Sequence, residues 1–279
     1  MSSAYSSVVN TARDYYNSDD ADNFYYHVWG GEDIHIGIYE SLTEDIATAS
    51  ERTVATMAGR LGVIGAGSRV IDVGSGYGGA ARWLAEHYSC HVDCLNLSEA
   101  QNQRNRELSR MRGLDDRIDV TDGSFEKMPW PNEHFDIAWS QDAILHSGRR
   151  DQVLSEVDRV LKPGGEFIFT DPMQADNCPA GVLQPVLDRI HLNTLGSFEF
   201  YRQQAEKLGW QELAMIDLTS HLVTHYTRVR QELAQQREKL SGRVSDEYID
   251  RMLQGLGHWV DAGDRQYLSW GIMHFRKAV

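Results

Sequence analysis

From residue 70 onward, short apolar runs alternate with longer amphipathic stretches. Val70-Ile71-Asp72-Val73 is apolar at nearly every position, as in a strand buried on both faces, and closely spaced glycines follow it. Residues 91–97 form a second strand-like run, a third ends in Asp122-Gly123-Ser124-Phe125, and Phe135-Asp136-Ile137-Ala138-Trp139-Ser140 reads as a fourth. Residues 149–161 are amphipathic at helical spacing and stop at Lys162-Pro163-Gly164-Gly165, and 166–170 is a fifth strand. Residues 176–197 read as an insertion, 198–209 as a helix, 210–218 as a strand, 219–263 as two long helical stretches, and a last strand lies near 267–276. Ahead of the first strand, 41–64 reads as a helix opened by a Ser41…Glu44 capping box. This order predicts an α/β fold with a doubly wound, mostly parallel seven-stranded sheet. It also predicts one domain over 1–279, made of a helical N-terminal lid (1–66), a core (67–173), and cap insertions with the C-terminal strands (174–279). Repeats, low-complexity tracts and long linkers are absent from the sequence, so a tethered second domain is not expected.

Gly74-Ser75-Gly76-Tyr77-Gly78-Gly79 fits a tight turn into a helix that lets a cofactor approach the backbone. The pattern G-x-G-x-x-G is weak by itself, and Asp72 sharpens it. A carboxylate at the strand end repels a pyrophosphate but attracts a cofactor that carries ammonium and sulfonium charges and no phosphate. S-adenosylmethionine is such a cofactor. Asn96 lies roughly 20 residues beyond the turn, near where a ribose-binding residue is expected.

Asp-Val-Gly-Ser-Gly, Asp-Gly-Ser and Leu-Lys-Pro-Gly-Gly occur in that order, and over 67–170 the chain resembles the class I S-adenosylmethionine-dependent methyltransferases, whose core is Rossmann-like. The resemblance implies that Asp72 and the turn glycines hold the methionine moiety, that residue 96 holds the ribose hydroxyls, and that Asp122 and Ser124 frame the adenine. Asn96 stands where an acidic residue is usual; an amide still accepts one hydrogen bond, and Gln101 is placed to share the task. The cofactor set expected is Asp72, Gly74, Ser75, Gly76, Asn96, Leu97, Gln101, Asp122, Gly123, Ser124, Phe125 and Gln141, with no metal.

Composition narrows the acceptor. A formal net charge of -14 argues against a polyanionic partner, because phosphate binding relies on clustered Lys and Arg. Methyltransferases acting on base amino groups usually carry Asn/Asp-Pro-Pro-aromatic after the fourth strand, where this chain reads Ser140-Gln141-Asp142-Ala143. The expectation is a small-molecule acceptor and no nucleic acid. No apolar stretch is long enough to span a bilayer, and Met1-Ser2-Ser3-Ala4-Tyr5 lacks a basic region followed by an apolar core, so a soluble cytoplasmic protein is expected. Cys90, Cys94 and Cys178 have no metal-site spacing and read as inert thiols. The basic residues are 22 Arg and 5 Lys; this acid-rich, lysine-poor balance suits a protein kept soluble in salt, and equally an ordinary acidic enzyme. Oligomeric state is not legible.

Residues 22–39 are dense in aromatic and imidazole groups and read as a lid, although any one of Phe24, Trp29 and Tyr39 also fits simple packing. After the fourth strand, Gln141, Asp142 and His146 are placed at the ligand crevice. Here the chain is similar to small-amine methyltransferases, phosphoethanolamine enzymes among them, in which a lid tyrosine pairs with a histidine after the fourth strand; the match implies Tyr25 and His146 as the catalytic pair. After the fifth strand, Pro172-Met173 replaces a tyrosine usual in phosphobase enzymes and suits an apolar wall around N-methyl groups. Arg189, Arg202 and Arg228 are candidates for the positive charge an acidic acceptor needs. With Phe-Tyr-Tyr-His-Val-Trp-Gly-Gly-Glu-Asp-Ile-His, Leu-Asn-Leu-Ser-Glu-Ala-Gln and Asp-Pro-Met, nearly the whole chain resembles the bacterial sarcosine/dimethylglycine N-methyltransferases. That resemblance implies methylation of sarcosine to dimethylglycine and then glycine betaine, a compatible solute. Tyr25, Trp29, Tyr39, Asp142, Pro172 and Met173 are the acceptor-binding residues expected. A phosphoethanolamine, sterol or quinone methyltransferase, or a non-catalytic S-adenosylmethionine-binding module, are the alternatives.

Overall fold

A computed structural model describes residues 7–190 and 192–279. The expectation about Met1-Ser2-Ser3-Ala4-Tyr5 lies outside them. The strands are β1 (Arg69–Val73), β2 (His91–Asn96), β3 (Ile118–Asp122), β4 (Phe135–Gln141), β5 (Leu161–Thr170), β6 (Met173–Gln174), β7 (Gln211–Asp217), β8 (Leu268–Ser269) and β9 (Gly271–Arg276). The helices are α1 (Ser7–Tyr16), α2 (Asp19–Phe24), α3 (Ile46–Ala58), α4 (Gly79–Tyr88), α5 (Glu99–Met111), α6 (Arg150–Val160), α7 (Gln184–Ile190), α8 (Phe198–Leu208), α9 (Thr219–Gln236) and α10 (Asp246–Asp264). A π-turn spans Tyr25–Trp29 and a 3-10 turn spans Ile144–His146.

Among the described residues the main sheet runs β3-β2-β1-β4-β5-β9-β7, and β9 is the strand that runs antiparallel to its neighbours. Adjacent positions of β1 point into different cores: Ile71 and Val73 join Phe135, Phe167 and Phe169 on one face, while Val70 joins Val92, Ile137 and Trp139 on the other. Burial on both faces is why β1 reads as a continuous apolar run. The chain's winding direction reverses between β1 and β4, which pair directly through Asp72↔Trp139. Such a reversal leaves a crevice at the carboxyl ends of the two strands, where ligands of open α/β sheets bind.

Above that crevice, Phe24, Tyr25 and Trp29 share one hydrophobic cluster with Leu222, Tyr226, Met252 and Trp259 of α9 and α10. The N-terminal segment and the C-terminal additions therefore close over the sheet as a single cap.

Several boundaries differ from expectation. Asp45, not Ser41, caps α3, accepting from Thr48 N at 3.0 Å, while Glu44 accepts from Glu40 N and pairs with Arg52. Asp45 stands next to the first buried apolar residue, Ile46, so it is the cap that packing selects. Lys162–Gly165 is a shift of register inside β5 rather than a loop before it. The expected last strand is broken at Trp270 into β8 and β9, and the insertion contains α7. No helix of the described residues is long and apolar enough to cross a membrane.

Candidate active site

The turn after β1 lies hard against the sheet. Gly74 N and Ser75 N both donate to Leu95 O of β2 (2.7 and 3.2 Å). Gly74 has φ 84°, and a Cβ there would sit 2.4 Å from the Ala143 Cβ, so both conformation and space demand glycine. Gly76, at φ 53°, would place a Cβ 3.2 Å from Ile34 of the lid. A cleft opens from this turn across the ends of β2, β3 and β4. Gly74, Gly76, Asn96, Leu97, Gln101, Ser124, Phe125 and Gln141 line it. Asp72 and Ser75 line a small adjoining chamber whose wall shares Ile34, Gly74 and Gln141 with the cleft.

Two expected residues stand apart. Asp122 is exposed and turned to α5, accepting from Asn102 Nδ2 at 2.7 Å and Arg106 Nη2 at 3.0 Å. The helix amide and guanidinium draw its carboxylate off the cleft wall. Gly123 lies behind the wall, its N bonded to Asn96 O at 3.0 Å.

Several buried polar atoms along this path find no hydrogen-bond partner among the described residues, Asp72 Oδ2, Ser75 Oγ, Gln101 Nε2 and Gln141 Nε2 among them. Buried polar atoms are nearly always bonded, so a row of exceptions asks for a ligand. The acceptor at Asp72 suits a cationic group and the amide donors suit oxygen acceptors, which is the distribution in an amino-acid-linked sulfonium nucleoside. Asn96 Nδ2 donates to Gln101 Oε1 at 3.0 Å, so the two amides act together, and Trp139 Nε1 holds Gln141 Oε1 at 3.0 Å. Burial, the charge of Asp33 adding to it and His35 and Arg82 opposing it, pushes the Asp72 carboxyl up to about 7. His35, 3.4 Å from Asp33, is itself raised, because Asp33 and Asp142 outweigh its burial.

Beneath the lid a second chamber shares Tyr16, Ile34, Asp142 and His146 with the cleft, so the two adjoin. Tyr25, Trp29, Asp142 and Pro172 line it as expected of acceptor residues. Tyr39 and Met173 do not. Tyr39 is buried elsewhere, its hydroxyl 2.9 Å from His225 Nδ1. Met173 pairs with Ser269 in the β6–β8 ribbon and packs in the sheet core.

The expected Tyr25 and His146 both line this chamber, with Tyr16 between them. His146 Nε2 lies 2.9 Å from the Tyr16 hydroxyl, and the Tyr16 ring stands 5.4 Å from each of the Tyr25 and His146 rings. Tyr25 is a hydrogen-bond neighbour of Tyr16 and also faces Tyr15 at 3.3 Å, which reaches Tyr248 at 3.0 Å. Helix α1 slides Tyr16 between the two residues that the lid motif had matched. His146 is held neutral near pH 7: burial first, then Arg189 and Arg150, bring it down to about 4. Its turn is fixed by Asp171, which accepts from Leu145 N at 2.9 Å.

Asp142 is a clamp. Its Oδ2 accepts from Ile36 N of the lid at 2.6 Å and its Oδ1 from Trp270 Nε1 at 2.8 Å, tying the end of β4 to the lid and to the break before β9.

Residues 71–169 match the methyltransferase domain family. A sarcosine/dimethylglycine N-methyltransferase of Aphanothece halophytica is 54% identical over 97% of this chain and 98% of its own length, and one of Halorhodospira halochloris is 55% identical over 96% of each. The chain belongs to the sarcosine/dimethylglycine N-methyltransferases. A crystal structure of a proposed sarcosine dimethylglycine methyltransferase from Galdieria sulphuraria, 42% identical, superposes with a TM-score of 0.90 over 95% of this chain and 99% of that one.

In this family member the sequence alone missed Tyr16, Tyr226 and Trp259, all on the chamber wall. The Tyr15-Tyr16 pair closing α1 was the available signal for the first. Nothing local marks Tyr226 and Trp259, which reach the chamber because α9 and α10 pack against each other, their rings stacked at 4.7 Å.

Proposed function

We propose that this chain transfers methyl groups from S-adenosylmethionine to sarcosine and dimethylglycine, giving dimethylglycine and glycine betaine, and that the two adjoining cavities are its donor and acceptor sites. The observation that carries the reading is their junction: Asp142, His146, Tyr16 and Ile34 belong to both walls, which puts a donor in one cavity beside an acceptor in the other.

S-adenosylmethionine supplies an electrophilic methyl on a sulfonium. Asp72 would hold its cationic amino-acid end, Asn96 and Gln101 the ribose hydroxyls, Ser124 and Phe125 the adenine, with Gly74, Ser75, Gly76, Leu97 and Gln141 completing the wall. On the acceptor side, Tyr16, Tyr25 and Trp29 present ring faces to a nitrogen that gains positive charge as it is alkylated, and such faces attract cations. Pro172 adds an apolar surface for N-methyl groups. The amine must be neutral to attack. His146 at about 4 is too weak a base to keep a proton near pH 7, so it and Tyr16 orient and pass the proton outward rather than store it. Alignment and water exclusion then carry most of the rate. The three free thiols fit a reducing cytoplasm as the site of the reaction.

Purified protein with S-adenosylmethionine should form glycine betaine from dimethylglycine and dimethylglycine from sarcosine, read by mass spectrometry, and leave phosphoethanolamine unmethylated. Methylated phosphobase without betaine would replace this reading with the phosphoethanolamine one, and donor binding without any product would leave a non-catalytic module.

A further inference from the structure

We infer that Arg189 is the anchor for the acceptor's carboxylate; this rests on the reaction proposed above and names the group that selects an amino acid over a plain amine. Arg189 lies on α7 and lines the chamber with Tyr25, Trp29, Pro172 and Trp259. Its Nε is buried without an acceptor among the described residues, its Nη2 donates to Met252 Sδ at 3.8 Å, and Tyr226 is its one tyrosine hydrogen-bond neighbour among the described residues. Tyrosines surround it, Tyr15, Tyr25, Tyr226 and Tyr248, where a buried guanidinium ordinarily takes a carboxylate. Among the described residues no carboxylate pairs with this cation, although the chain has 41 Asp and Glu against 27 Lys and Arg.

The other two candidates are committed elsewhere. Arg202 pairs with Glu212 and Glu199 outside the chamber, and Arg228 bonds to Glu44 O and Gln231. Arg150, which is buried, has both Nη atoms engaged, on Leu145 O and Thr194, with its Nε unpartnered, and it does not line the chamber. The stem of Arg189 is moreover accommodated by a gap in α10: a Cβ on Gly255 would lie 2.5 Å from Arg189 Cδ. Glycine there lets the guanidinium cross the helix into the aromatic chamber. Sarcosine and dimethylglycine each carry one carboxylate next to the reacting nitrogen's carbon, and a planar fork matches it with paired N–H donors. Engaging the carboxylate at Arg189 while the nitrogen faces the rings of Tyr16, Tyr25 and Trp29 fixes both ends of a very small substrate.

The test compares wild type, Arg189→Gln and Arg189→Lys on dimethylglycine and on N,N-dimethylglycinamide, which lacks the charge, with S-adenosylmethionine affinity measured by calorimetry. Arg189→Gln should raise KM for dimethylglycine about 10- to 100-fold, leave donor affinity unchanged, and abolish the preference for the acid over the amide. Arg189→Lys should keep that preference while raising KM less. An Arg189→Gln enzyme with unchanged KM and unchanged preference overturns the assignment. If Arg189→Gln loses donor binding through misfolding, Arg189→Lys decides, and an unchanged KM there overturns it equally. Wild type that makes no betaine overturns the reaction itself, whereas wild type that makes it beside an indifferent Arg189→Gln removes only the anchor.

Discussion

The hydroxyl of Tyr16 lies 2.9 Å from His146 Nε2, and this contact joins the first helix of the chain to the turn after β4 across the mouth shared by both cavities. If the two act as one unit in orienting the acceptor, Tyr16→Phe and His146→Ala should each lower kcat with little change in donor affinity, and the double variant should be hardly worse than the single ones. Tyr25→Phe, one ring further along the same network, should couple to His146→Ala more weakly than Tyr16→Phe does. Kinetic cycles that show additivity for Tyr16 and coupling for Tyr25 would restore the pair that the lid motif implies.

Asp72 gives a pH dependence with a definite sign. Its carboxyl, pushed up to about 7, is largely protonated in the free protein below that pH, and a cationic ligand needs the ionised form. Donor binding must then expel a proton, so affinity falls as pH drops from 8 to 6, approaching about tenfold per unit, and levels off above 8. Calorimetry in buffers of different ionisation enthalpy should register the proton release. Asp72→Asn should bind weakly with a flat profile; a flat wild-type profile would remove Asp72 from the donor site.

The same shift acts on stability. A carboxyl whose pKa is higher folded than unfolded supports the fold fully below the unfolded value, about 4, and loses that support as pH rises through about 7. Asp72→Asn should therefore raise the melting temperature at pH 8 by more than at pH 5. Equal gains at both would mean that the ionised carboxylate is not strained in the free protein.

Gly74→Ala should cost about 1–3 kcal/mol in chemical denaturation, since it combines a left-handed backbone with a clash against Ala143. Adding Ala143→Gly should recover part of the loss, because it removes the 2.4 Å contact and leaves the φ strain. Donor affinity should follow the same order, and a Gly74→Ala protein of wild-type stability would contradict the described turn.

For Asp142, described above as a clamp, Asp142→Ala strands the Ile36 N–H and the Trp270 indole. A loss of about 2–4 kcal/mol is expected, with faster hydrogen exchange at Ile36 than in wild type. A residue that merely touched the acceptor would change KM and leave exchange alone.

Much was legible in the sequence because the signals are local. Buried parallel strands must be apolar at consecutive positions, and a turn that packs against Leu95 O and Ala143 admits only glycine, so β1, its turn and the doubly wound sheet could be read from the chain itself. Pro172, Gln141 and Asn96 followed because strand ends face the crevice. Contacts between distant segments could not be read in this way. Tyr16 in place of Tyr25 beside His146, Tyr39 turned to His225, Asp122 drawn to Asn102 and Arg106, and Met173 sunk in the sheet core each depend on which surface a helix or ribbon meets after folding. A side chain's neighbours along the chain set its element, but only packing between elements sets the direction it faces. Arg189 shows the division most plainly: three arginines had equal standing in the sequence, and the tertiary structure left one of them half-buried among tyrosines, with no carboxylate partner among the described residues.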